Sequence, residues 1–122
     1  MAEGRANKLK IEEEVTDKIR VVALHGALDM ESAESLQGRL AGGAADPSRA
    51  LVVDLTDCDF IDSVGLSALL QGAKPLQNGE SNVAFVAPGG LVRRLLELTA
   101  VDRTIPVFDT REDACTSVLE PG

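Results

Sequence analysis

The sequence predicts a single α/β domain, a mixed and mostly parallel β-sheet of about four to five strands with about four α-helices packed against it. Three observations lead there. The length, 122 residues, suits one domain and is short for two. Short runs rich in β-branched residues alternate with stretches of helical periodicity. Only the first two strand-like runs lie close enough to form a hairpin, and the later ones need the helical crossovers that parallel pairing requires.

Residues 1–8 are polar and read as a flexible tail, leaving 9–119 as the domain. Residues 10–15 form a weak edge strand, and Asp17-Lys18 turns the chain into a second strand over 19–24, which Gly26 ends. Asp29 caps a helix over 30–40 with Ala33, Leu36 and Leu40 on one face. Residues 42–47 are a loop by their Gly, Asp and Pro content. Residues 51–55 are almost continuously apolar, as expected of a strand buried on both faces. Residues 58–62 lead into a helix with Leu66, Leu69, Leu70 and Ala73 at i, i+3, i+4, i+7, which Pro75 should stop near Lys74 or kink. Residues 83–86 are another buried strand, and Pro88-Gly89-Gly90 opens a helix with Leu91, Leu95 and Leu98 on one stripe. Residues 104–108 are a last strand, placed at the sheet edge by Pro106. Asp109 or Thr110 caps a final helix with Cys115, Val118 and Leu119 inward.

Composition narrows the function classes. Apolar residues make up 44% of the chain, with Phe60, Phe85 and Phe108 the only aromatics, so the core is aliphatic. A net charge of −8 repels phosphate backbones and anionic headgroups, so neither nucleic acid nor a membrane is expected as a direct partner. No run approaches the length of a membrane span, and no leader is recognisable, which makes a cytoplasmic location the expectation. Cys58 and Cys115 are no disulfide framework, and with a single His they supply no metal site. His25 is the only histidine base and no Gly-x-Ser-x-Gly elbow or phosphate loop exists, so neither catalytic residues nor a cofactor are expected.

The segment richest in chemistry is Asp59-Phe60-Ile61-Asp62-Ser63-Val64-Gly65-Leu66, where a strand runs into two carboxylates, a serine and the first turn of a helix. From local pattern alone, Asp62 or Ser63 is a helix cap. Gly65 costs the helix about 1 kcal/mol relative to Ala and leaves backbone that a partner can approach. His25 reads as a structurally satisfied side chain, Cys115 as core packing, and Arg93-Arg94 as a solvated helix face. Cys58, just upstream, reads as an inert packing residue, with a redox influence on partner binding as the alternative.

Ile61-Asp62-Ser63-Val64-Gly65-Leu66, preceded by Leu51-Val52-Val53-Asp54-Leu55, resembles the central motif of the STAS family. Leu24-His25-Gly26-Ala27-Leu28-Asp29 is similar to that family's Gly-Glu-Leu-Asp turn, and the stretch from Leu95 to Val101 resembles its third helix and following turn. The resemblance implies an anti-sigma-factor antagonist of a bacterial partner-switching system. It implies that Ser63 accepts a phosphate from an anti-sigma factor that is an ATP-using serine kinase, and that a serine phosphatase removes it. The unphosphorylated form binds the anti-sigma factor and frees the sigma factor, and the phosphorylated form lets go. The implied partner-binding residues are Asp29, Asp62, Ser63, Val64, Gly65 and Leu66. Two positions depart from the family: Val64 stands where a second Ser or Thr is frequent, and Ala27 replaces the usual Glu. The alternative role is a STAS interaction module of another complex, a lipid-transport or stress-sensing assembly, without a phosphorylation switch.

Overall fold

The computed structural model describes residues 8–42, 49–78 and 82–120. Its six-stranded sheet comprises β1 (Lys10–Val15), β2 (Ile19–Leu28), β3 (Ala50–Asp54), β4 (Cys58–Ile61), β5 (Val83–Val86) and β6 (Val107–Phe108). The order is β1-β2-β3-β5-β6, with β4 on the far end of β2. Only β1 and β2 pair antiparallel, while β3, β4, β5 and β6 all join the sheet in parallel. The mixed, mostly parallel architecture is as expected, and the strand number is higher.

The extra strand comes from Gly26. It does not end β2, which runs on to Leu28. Gly26 adopts φ 101, a left-handed conformation that costs glycine little. At this kink β2 changes partner: Ala23 is the last residue opposite β3, and Gly26 the first opposite β4. The register shifts between Gly26 and Ala27, where β4 advances from Cys58 to Phe60.

Two-residue alternation along the strands divides the core. Leu51, Val53 and Phe85 face one side with Leu36 and Leu40 of α1 (Met30–Gly42), Leu66, Leu69 and Ala73 of α2 (Ser63–Asn78), and Val92 and Leu96 of α3 (Gly90–Leu98). Ala50, Val52, Ala84 and Val86 face the other with Ala114 and Val118 of α4 (Arg111–Leu119). Of the loop expected over 42–47, Gly42 closes α1 and the rest lies outside the described residues.

Four local expectations are corrected. Of the two outcomes expected at Pro75, a stop near Lys74 does not occur: the proline lies inside α2, which continues to Asn78, since it removes one N–H donor and leaves the other bonds of the turn in place. The last strand shrinks to Val107–Phe108: Ile105 is buried, and its amide and that of Thr104 close a turn on the Val101 carbonyl at 3.0 and 2.9 Å. Pro106 still sits at the sheet edge, its carbonyl accepting from the Phe85 amide at 2.9 Å. In α3 the buried stripe is Val92 and Leu96, while Leu91 and Leu98 stand 67% and 72% exposed. In α4 it is Ala114 and Val118, with Cys115 partly covered and Leu119 exposed. Thr110 is the cap of α4, its hydroxyl accepting from the Asp113 amide at 3.0 Å.

Candidate functional site

Parallel pairing of β2 with β4 decides where the site lies. Leu28 sits opposite Ile61, so both strands leave the sheet side by side and each enters a helix within two residues. The N-termini of α1 and α2 therefore open next to each other.

Each mouth is closed by an aspartate. Asp29 Oδ1 accepts from the amides of Glu31 and Ser32 at 3.0 and 3.2 Å. Asp62 Oδ1 accepts from the Gly65 amide at 2.7 Å, and Oδ2 from the Met30 amide at 3.2 Å. The Asp62 amide donates to the Leu28 carbonyl at 3.1 Å. Capping by Asp29 matches the expectation, and at α2 the cap is Asp62 rather than Ser63.

Ser63 is the first residue of α2 and is exposed, as is Val64 beside it. Its hydroxyl makes no hydrogen bond among the described residues. Met30 and Val64, which line one groove with Ser63, stand 72% and 44% exposed, and Phe60 of β4 is 44% exposed. A groove of about 430 Å³ runs from Ser63 between α1 and α2, past Ala33, Glu34 and Ser67. The Gln37 and Gln71 side chains bond across it at 3.2 Å.

Two of the sequence-predicted contact residues point the other way. A Cβ on Gly65 would lie 2.2 Å from the Leu28 carbonyl oxygen, so this glycine serves helix-on-strand contact and not a visiting protein. Leu66 is buried in the core. Asp29, Asp62, Ser63 and Val64 do come together. Met30 and Glu34 line the groove beside Ser63 and Val64, and in the sequence Met30 is marked only by being apolar outside the Ala33, Leu36, Leu40 stripe.

The electrostatics are one-sided. Asp29 and Asp62 cap the two mouths, Glu31 lies in the first turn of α1 and Glu34 lines the groove, and residues 21–38 and 50–73 contain no Lys or Arg. Cys58 is buried, its thiol 3.5 Å from the Phe60 carbonyl, and burial pushes its pKa up, which holds it in the unreactive protonated form. His25 lies within 2.9 Å of Glu12 and 3.3 Å of Asp57, a structural clasp between β1 and the turn before β4. Arg93 is no solvated side chain, since it donates to the Ala87 carbonyl and to Asp109 at 2.7 and 2.8 Å; Arg94 is exposed. Among the described residues no His, Cys, Asp and Glu cluster is arranged to hold a metal, and no helix is long and apolar enough to cross a membrane.

Residues 10–114 match the family model of the STAS domain. The chain belongs to the STAS domain family. Among curated proteins, this STAS domain is 34% identical over 101 residues to the anti-sigma-F factor antagonist RsfB of Mycobacterium tuberculosis, covering 82% of this chain and 81% of that one. It is 27% identical over 104 residues to the anti-sigma-B factor antagonist of Staphylococcus aureus, covering 85% and 96%. Among solved structures it superposes on an anti-sigma factor antagonist from Mycobacterium paratuberculosis with a TM-score of 0.85 at 33% identity, over 94% of this chain and 97% of that one.

Proposed function

We propose that this STAS domain is an anti-sigma-factor antagonist, a binding regulator and not an enzyme, switched by phosphorylation of Ser63. The observation that carries the reading is the exposed Ser63, its hydroxyl free of internal hydrogen bonds among the described residues, at a helix mouth beside the exposed apolar side chains of Met30 and Val64. The relatives named as antagonists of anti-sigma factors support it. The partner is an anti-sigma factor that is itself a serine kinase and uses ATP. In the cytoplasm a serine phosphatase resets the switch.

The physics favours release without unfolding. A phosphate adds about −1.5 to −2 charges. At the first turn of α2 it meets the positive end of the helix dipole, which accommodates the charge within the folded domain. Outside, it joins two helix mouths whose own segments, residues 21–38 and 50–73, carry carboxylates and no Lys or Arg. A partner carboxylate brought to about 4 Å of the phosphate is repelled by about 4 kcal/mol per charge pair at intermediate dielectric, or about a thousandfold in affinity. A STAS module without a switch needs no phosphoacceptor, so the exposed Ser63 favours the switch.

The test is to mix the protein with purified anti-sigma kinases and ATP, and to locate the phosphate by mass spectrometry. Phosphate on Ser63 is expected, with Ser63→Ala binding the kinase and Ser63→Asp showing no measurable binding. Equal affinities of the two variants sink the reading.

A further inference from the structure

Asp62 belongs to the expected footprint of the partner, yet both of its carboxylate oxygens are occupied inside the domain. Oδ1 holds the Gly65 amide of its own helix, and Oδ2 reaches an amide 32 residues earlier in the chain, that of Met30. The first three amides of α1 are thereby all satisfied, Glu31 and Ser32 by Asp29 and Met30 by Asp62. At their far ends the two helices are held by packing, with Leu40 against the bare backbone of Gly72. At the mouth Asp62 is the polar link between them.

We propose that Asp62 is a positioning residue: it ties the mouth of α1 to that of α2, so that Met30 and the Ser63-Val64 pair meet the partner as one surface. It sets affinity through that tie and not by touching the partner. The inference rests on the antagonist reading for its partner, while its structural core stands apart from it. Anchoring of α2 alone does not need the second oxygen, because the Asp62 amide already fixes the helix start on the Leu28 carbonyl. The oxygen on Met30 does one thing, which is to hold α1 in place.

Two substitutions separate the functions. Asp62→Asn keeps an acceptor for the Gly65 amide but turns an NH₂ group toward the Met30 N–H. Asp62→Ser keeps a short cap on α2 and cannot span to Met30. Amide exchange is read by NMR on the full chain without any partner. Affinity for the anti-sigma kinase that modifies Ser63 is measured in a Ser63→Ala background, and KM and kcat of phosphorylation with Ser63 intact. In both variants the Met30 amide should exchange about tenfold faster with Gly65 little changed, and Kd and KM should rise about tenfold while kcat stays within about twofold. An unmoved Met30 amide overturns the tie. Faster Met30 exchange with unchanged Kd and KM overturns the positioning role, as does a fall in kcat at constant KM. Wild-type protein that no anti-sigma kinase binds or modifies overturns the switch instead, and the Met30 amide then decides the tie by itself.

Discussion

At residue 65 a single methyl group is enough to test how α2 is seated. Alanine is the better helix former by about 1 kcal/mol, but its Cβ would press on the Leu28 carbonyl at 2.2 Å, and a backbone carbonyl at a strand end has little room to retreat. Overpacking of this kind costs about 1–3 kcal/mol, so Gly65→Ala should be less stable by about 2 kcal/mol. A urea midpoint equal to or above that of the parent would show that α2 does not rest on β2 as described. The same residue shows a limit of reading from sequence. Glycine marks a place where backbone approaches something closely, and the pattern does not say whether that something is a visitor or the protein's own strand. Cys58 is a similar case: adjacency in sequence puts a thiol next to the switch, and burial takes it out of reach.

At the scale of elements, α3 offers the sharpest test because it has two apolar stripes. Leu91, Leu95 and Leu98 make one, Val92 and Leu96 the other, and both have helical spacing. The domain buries the second, with Leu96 fully covered and Leu98 mostly in water. Leu96→Ala should therefore cost about 2–5 kcal/mol, and Leu98→Ala no more than about 0.5 kcal/mol. Thermal melts of the two variants that shift alike would place the wrong face inward. Where the pattern was unambiguous, the elements were legible. Leu51, Val52 and Val53, a short β-branched run, read as a doubly buried strand, and Asp29 before an amphipathic run read as a cap. Where two faces competed, or where a strand changed neighbours at Gly26, the decision lay in tertiary packing that no local window contains. The candidate site divides the same way. Ser63 at a helix mouth was legible from its neighbours in sequence, whereas Met30 reached it only through the parallel pairing of β2 with β4.

For the whole molecule, one ion-pair network stitches parts distant in sequence. Arg111 at the start of α4 donates to Asp54 of β3 at 2.9 Å and to Glu14 of β1 at 3.0 Å. Burial pushes the Asp54 carboxyl up, but the Thr56 hydroxyl and amide and then the Arg111 guanidinium outweigh it, and the pKa ends below the ordinary aspartate value. A carboxylate with a lowered pKa in the folded state contributes stability that is present above the unfolded value, about 4, and is lost as pH falls through the folded one. Urea midpoints should hold steady from about pH 7 to 5 and decline below about pH 4. Asp54→Asn should be weaker at neutral pH and lose less on acidification; a variant with the parent's full acid slope would remove Asp54 from the account.

The double duty of β2 also has a consequence for how the polypeptide is made. A nascent chain that has reached residue 49 already carries β1 and β2, and these can zip together as a hairpin through local contacts. The opposite margin of β2 gains its first half-partner with β3 and its second only with β4, which ends at Ile61. Until that stretch has cleared the ribosome, ten residues of largely apolar strand stand with one flank unclothed, and that flank is where two growing chains would most readily join by mistake.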